Sequence, residues 1–256
     1  MGQPGQFTGG RGEGGGKGLR LRMKTPPIAT DRLRLASIEI TQRCNNRCSY
    51  CHQPKSDRDM SVPRFVELLD GLKGEGVEAV ALGGGEPVLH PALPALLTAA
   101  CQLGLRAGLT TNAHNPGLVI TLANAGLLES FGVSAGKGEW TALVAHPRAT
   151  VNLLLLQGGL AEVTSQATKA IRQSAHRLLL LGYKGDRPEF APSTTELADA
   201  FSLLTLLGRR TGLVVAADDY TRRRLNLTQT CGEGFVRLSL DGNRDQCCFP
   251  TCQYRI

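Results

Sequence analysis

No stretch of this 256-residue sequence approaches the ~20 consecutive apolar residues that a membrane-spanning helix needs, so no membrane association is expected. The opening stretch, MGQPGQFTGGRGEGGGKG, has no apolar core of the kind a secretory signal carries; export is not expected and a cytoplasmic location is. A chain of this length buries roughly 70–75% of its unfolded surface and needs no covalent staples. Its eight cysteines, in a protein not expected to be exported, therefore favour metal or redox use over disulfides. A fourth cysteine is missing where one would be looked for. Cys44, Cys48 and Cys51 stand in CNNRCSYC at the spacing C-x3-C-x2-C, and the next cysteine is Cys101. Cysteine-built metal sites usually take four thiolates. Either the fourth ligand is remote, or one coordination position is open for chemistry.

The net charge of +7 is unevenly spread. Eleven of the 29 Lys/Arg and five of the 22 Asp/Glu fall ahead of Ser61, leaving only +1 on the remainder. Such a segment is a solvated basic tail or an attraction for an acidic partner or nucleic acid, and the tail is the preferred reading. Residues 1–18 contain nine glycines and read as flexible. Strands and helices then alternate, with strands expected at 32–41, 77–87, 105–114, 131–136, 149–157 and 176–183, and a possible seventh at 213–217. Helices are expected from Ser61, with Pro63 in the first turn and Phe65, Leu68, Leu69 and Leu72 on one stripe, and at 91–103, 116–127, 139–145 and 159–175. A last helix opens with a Ser193–Glu196 capping box and stops at Gly212. Several strands are continuous apolar runs, the pattern of parallel strands covered by helices on both faces. The fold class expected is α/β, either an open doubly wound sheet or a barrel. In a barrel, function gathers at the C-terminal ends of the strands. The distinctive residues fall at those ends: Cys44–Cys51, Gly83–Pro87, Thr111–His114, Ser134 and Lys184.

Three thiolates on a 4Fe–4S cluster leave one iron free for a small-molecule chelate. Glycines 83–85 would let backbone carbonyls approach the ligand's ammonium, and Glu86 would add charge. CNNRCSYC, GGEP at 84–87 and TTN at 110–112, in that order on successive βα units, resemble the radical S-adenosylmethionine (SAM) superfamily across about residues 34–220. The resemblance implies a partial (β/α)6 TIM-like barrel over 33–220, after a flexible tail over 1–18. It implies a 4Fe–4S cluster on Cys44, Cys48 and Cys51, with SAM held at its unique iron. SAM is then reductively cleaved to methionine and a 5′-deoxyadenosyl radical that takes hydrogen from a substrate. Tyr50 would lie near adenine, Gly84, Gly85 and Glu86 would meet the methionyl ammonium, and Asn112 and Ser134 would contact ribose or carboxylate. An electron donor such as flavodoxin or ferredoxin is implied. The competing reading is a zinc knuckle completed by His52 or a distant cysteine, which leaves the glycine loop and the βα repeat without a role.

Cys231, Cys247, Cys248 and Cys252 crowd the C-terminal end of the sequence. Between them Val236, Leu238 and Leu240 alternate with Arg237 and Ser239 ahead of an Asp241–Gly242 hairpin signal. This C-x10-G-x4-C pattern is similar to the opening of SPASM and twitch extensions, implying a small hairpin and one auxiliary 4Fe–4S cluster over 221–256. Cys231, Cys247 and Cys252 are the first choice of ligands and Cys248 the fourth or a spare; a zinc site on the same four is the alternative. Cys101 reads as a buried small residue in a helix. Lys184, Asp218 and Tyr220 are rim candidates for acid/base work. Relatives of this kind modify peptides, small molecules or nucleotides; a peptide is favoured. The segment before the first strand is too short for a winged-helix leader-binding module, so a separate protein or the barrel mouth would read any leader. A rival of another class is a non-catalytic iron–sulfur redox sensor that binds nucleic acid, which would leave the SAM-type loops unexplained.

Overall fold

The computed structural model describes residues 34–228, 231–249, 252 and 254; the tail expected over 1–18 lies outside them. Seven strands run parallel in sequence order: β1 (Leu35–Thr41), β2 (Ala79–Gly84), β3 (Arg106–Thr111), β4 (Ser130–Ser134), β5 (Ala149–Leu155), β6 (Arg177–Gly182) and β7 (Val214–Ala217). The connecting helices are α1 (Val62–Gly74), α2 (Leu93–Gln102), α3 (Pro116–Asn124), α4 (Leu160–Arg172) and α5 (Thr194–Thr211). A short α6 (Asp219–Arg224) follows β7. The chain then returns to the far side of the sheet. There β8 (Phe235–Leu238) lies parallel against β1, and β9 (Arg244–Asp245) turns back antiparallel to it. The result is an open nine-stranded sheet in the order β7-β6-β5-β4-β3-β2-β1-β8-β9, the layout of a partial TIM-like barrel with a hairpin added at one edge.

Burial alternates along the strands. One face carries Ile38, Ile40, Leu82, Leu109, Val133, Leu153 and Leu180, all buried against the helices. Each such side chain contributes roughly 1.5–3 kcal/mol when taken from water. The other face presents small and polar residues. A Cβ added to Gly132 would fall 2.6 Å from Asn152 Nδ2 and 2.8 Å from Thr110 Oγ1, so residues of β3, β4 and β5 meet there. The expectation of strands covered on both faces is therefore corrected. In β6, RLLLLG, only every second residue is buried, because the inner face of an incomplete barrel has no helix layer over it.

The helix signals held where they rested on caps. Ser61 accepts a hydrogen bond from Arg64 N, and Phe65, Leu69 and Leu72 are buried. Ser193 and Glu196 form the capping box, and Gly212 ends α5 at φ 74°. Two expectations fail. Residues 139–145 hold only a single 3-10 turn, Trp140–Ala142. Cys101 is exposed, because α2 turns Leu93, Leu96, Leu97 and Ala100 inward and the next residue rotates about 100° away.

Candidate functional site at the strand C-termini

β1 leads into a long excursion, residues 42–61, pinned at its base. Gln42 N donates to Arg58 O at 2.9 Å and Met60 N to Ile40 O at 2.8 Å. Thr41 Oγ1 and Arg43 Nε both reach Asp59, at 2.6 and 2.8 Å. Partial burial opposes it, yet these two partners hold the Asp59 carboxyl below the usual range. The pinned base carries Cys44, Cys48 and Cys51 at its tip, all three as free thiols.

The glycine loop closes onto that base. Gly85 N donates to Thr41 O at 2.8 Å and Glu86 N to Arg43 O at 2.7 Å. Gly84 sits at φ 114°, and a Cβ there would overlap Thr41 O; at Gly85 it would overlap Arg43 O. Both positions are thus imposed by the contact between strand ends. Gly83 is different: a Cβ there would meet nothing within 4 Å. Glu86 is 2% exposed and accepts from Asn112 N at 2.6 Å, which ties the ends of β2 and β3 together. Burial pushes its carboxyl up, against hydrogen bonds from Asn112, Thr111 and Val88.

These parts enclose a cavity of about 230 Å³, with Cys44, Cys48 and Cys51 on one wall and Gly83–Glu86, Asn112 and Ser134 on the other. Tyr50 is in the wall, and burial, then its contact with Cys48, raises its phenol. The structure adds residues that sequence reasoning passed over. Lys55 Nζ lies 3.7 Å from Cys51 Sγ, and Lys137 Nζ stands 5.5 Å from the Tyr50 ring centroid. Asn45 Oδ1 receives Asn112 Nδ2 at 2.7 Å. The available signals were slight: a lysine one helical turn's spacing beyond Cys51, and another between two glycines just past Ser134.

The second cysteine group forms its own cavity, of about 220 Å³, lined by Cys231, Cys247, Cys248 and Cys252. Lys184 and Asp218 line it, Tyr220 stands in an adjoining hollow with Lys184 and Cys252, and none of the three lines the first cavity. Lys184 Nζ pairs with Asp218 at 3.4 Å and lies over the Phe249 ring at 4.9 Å. Asp218 also caps α6, accepting from Thr221 N at 3.0 Å, and Tyr220 is buried. Burial pushes the Cys231 thiol up to about 11. Burial also opposes the Lys184 charge, but Asp218 and the thiols of Cys247, Cys248 and Cys231 outweigh it and hold its ammonium above the ordinary range. Among the described residues no three His, Cys, Asp or Glu side chains converge on one metal-ion position. Both cavities nevertheless offer the donor set of an iron–sulfur cluster: thiols free of disulfides, spread over one wall beside cationic side chains.

Residues 38–138, which hold β1 through β4 with the cysteine loop and the glycine loop, match the Radical SAM superfamily. That stretch of the chain carries a radical SAM domain. Radical SAM proteins use SAM and a 4Fe–4S cluster, and the matched stretch carries Cys44, Cys48, Cys51 and the glycine loop that line the first cavity. PqqA peptide cyclase of Streptomyces rochei is 27% identical over 198 residues, covering 64% of this chain and 53% of that protein. A SAM-dependent nucleotide dehydratase of Selenomonas ruminantium is 34% identical over 88 residues, 32% of each chain. The chain thus spans at most about half the length of these curated relatives. Among solved structures, Streptococcus suis SuiB bound to precursor peptide SuiA shares the fold with a TM-score of 0.68 at 15% identity, covering 85% of this chain and 60% of that one. Native anSMEcpe with bound AdoMet and Cp18Cys peptide does so with a TM-score of 0.63 at 14% identity, covering 87% and 76%.

Proposed function

We propose that the chain is a radical SAM enzyme that binds a 4Fe–4S cluster on Cys44, Cys48 and Cys51 and SAM in the cavity beside them. The observation that carries this is the cavity itself: three free thiols face the glycine loop, Asn112 and Ser134 across about 230 Å³. A cluster held there would supply the electron for reductive cleavage of SAM, on which hydrogen abstraction from the substrate would depend. The chain's own residues position and shield. Gly83 leaves room against the cavity wall, while Gly84, Gly85 and Glu86 fix that wall to the cysteine loop. Asn112, joined to Asn45, holds the loop closed from the third strand. Ser134 offers a hydroxyl to ribose or carboxylate, Tyr50 an aromatic face near adenine, and Lys137 a cation for the carboxylate of SAM. Water exclusion and close placement of substrate are what such a site adds to the cofactor's chemistry.

The second group reads as an auxiliary cluster on Cys231, Cys247 and Cys252, with Cys248 the remaining thiol. Lys184, Asp218 and Tyr220, first read as acid/base candidates, then serve as its charged and aromatic surroundings. The working division of the chain is a barrel over 33–220 and an auxiliary region over 221–256. A peptide is the favoured substrate, because the similarity to a PqqA peptide cyclase runs over 198 residues and 64% of this chain. A nucleotide or small molecule is the second reading, favoured by the shorter but more identical match to a nucleotide dehydratase. A flavodoxin or ferredoxin would deliver the electron, and a separate protein would present any leader.

Anaerobic reconstitution with an iron count, then reduction with SAM present, tests the proposal. Expected are about eight irons per chain and release of 5′-deoxyadenosine. Cys48→Ala should lose about four irons and all cleavage. Tetrahedral zinc in the first trio, or intact SAM after reduction of the loaded protein, would sink it.

A further inference from the structure

The two cysteine groups stand near opposite ends of the sequence yet share a hydrogen-bonded junction. At its centre is the backbone carbonyl of Cys248. Arg237 Nη1 donates to it at 2.9 Å, and His52 Nε2 lies 3.2 Å from it. A carbonyl only accepts, so the His52 ring carries its proton on Nε2. Arg237 spends its second nitrogen on the cysteine loop and on β1: Nη2 donates to Gln53 Oε1 at 3.1 Å and lies 3.7 Å from Glu39 Oε2. The His52 ring stacks on Phe249 with centroids 4.3 Å apart. His52 and Gln53 directly follow Cys51, and Phe249 directly follows Cys248. The Arg237 side chain is 17% exposed, and Glu39, 5% exposed, also accepts from Leu240 N at 3.1 Å. A guanidinium that reaches three segments at once, inside the protein, is a fork that a single-pronged cation does not replace.

We propose that Arg237 and His52 form a clasp that couples the two cysteine groups, so that occupancy of the second sets the position of Cys51 and hence the SAM-binding geometry of the first. Arg237 is a positioning residue in this role, acting through Gln53 and the Cys248 carbonyl. The coupling rests on the reading of both groups as cluster sites. It assigns Cys248 a part that its side chain does not play: the contact is made by the main chain and survives replacement of the thiol.

The test is a double-mutant cycle on the anaerobically reconstituted full chain, read by SAM binding and by the electron paramagnetic resonance spectrum of the first cluster with and without SAM. The variants are Arg237→Met, Arg237→Lys, Cys231→Ala with Cys252→Ala to empty the second group, and the combination of that pair with Arg237→Met. Arg237→Met should keep about eight irons, weaken SAM binding about tenfold and alter the first cluster's spectrum. Arg237→Lys should restore little of this. Emptying the second group should perturb the first cluster's spectrum in the parent, and add nothing once Arg237 is Met. Additive effects of the two changes, or a first-cluster spectrum untouched by either, would overturn the clasp while leaving both clusters standing. A parent chain that holds only about four irons would instead remove the second cluster, and the coupling with it.

Discussion

Gly83 and Gly84 are neighbours with opposite duties. Gly84 occupies a left-handed conformation and would drive a methyl into Thr41 O, whereas Gly83 borders open space. Gly84→Ala should therefore lower stability by roughly 1–3 kcal/mol or more, read as a fall in melting temperature. Gly83→Ala should melt like the parent yet weaken SAM binding by about 1–3 kcal/mol, because its methyl enters the cavity. Lys184 makes the matching case at the second cavity. Lys184→Met leaves Asp218 without its cation in a partly buried setting, at a cost of about 1–3 kcal/mol. It should also lower the midpoint potential of an auxiliary cluster by removing the neighbouring positive charge, while the first cluster's potential stays put in a redox titration. Residue identity was legible wherever chemistry forces it. The three clustered cysteines, the glycine run and Glu86, singled out in the sequence, line one cavity. Lys55, Lys137 and Arg237 were not legible, because a cation's role depends on what folds beside it.

Elements differed in how openly the sequence declared them. α1 and α5 carried caps, a stop glycine and a single apolar stripe, and each formed where those signals put it. Residues 139–145 had apolar content without a cap, and one 3-10 turn resulted. β6 misled through its four leucines, since a strand covered on one face and a strand covered on both can spell alike. The β8–β9 hairpin was visible from its turn, where Gly242 takes φ 81°, but its parallel seat beside β1 was not. That seat is reinforced by Arg244, which grips Glu75, just past α1, at 2.6 and 2.5 Å. Hydrogen bonding to Arg244 holds the Glu75 carboxyl below its ordinary range. A carboxyl with a depressed folded-state value contributes stability at neutral pH and loses it as pH falls through that value. Amide protection of 235–238, corrected for intrinsic exchange, should accordingly drop on acidification below the ordinary carboxylate range. In Arg244→Met it should already be low at neutral pH and change little with acid.

At the scale of the molecule, the parallel sheet brings every cysteine except Cys101 to one rim in two cavities, joined through the Cys248 carbonyl. Residues 1–18 hold nine glycines and almost no large apolar side chains, and the excess positive charge of the sequence lies largely ahead of Ser61. Removal of residues 1–18 should leave iron content, melting temperature and SAM cleavage as in the parent. A loss of cleavage with iron retained would give that segment a part in electron delivery. The pairing of β8 with β1 has a consequence in time. Leu35 lies opposite Phe235, so about 200 residues are made between the two halves of that ladder. A chain that folds as it emerges from the ribosome closes its early strands first and this ladder late. The Cys44–Cys51 segment therefore waits, without Arg237, until the strands up to β8 have been translated, so insertion of the proposed cluster would be a finishing step on an assembled sheet.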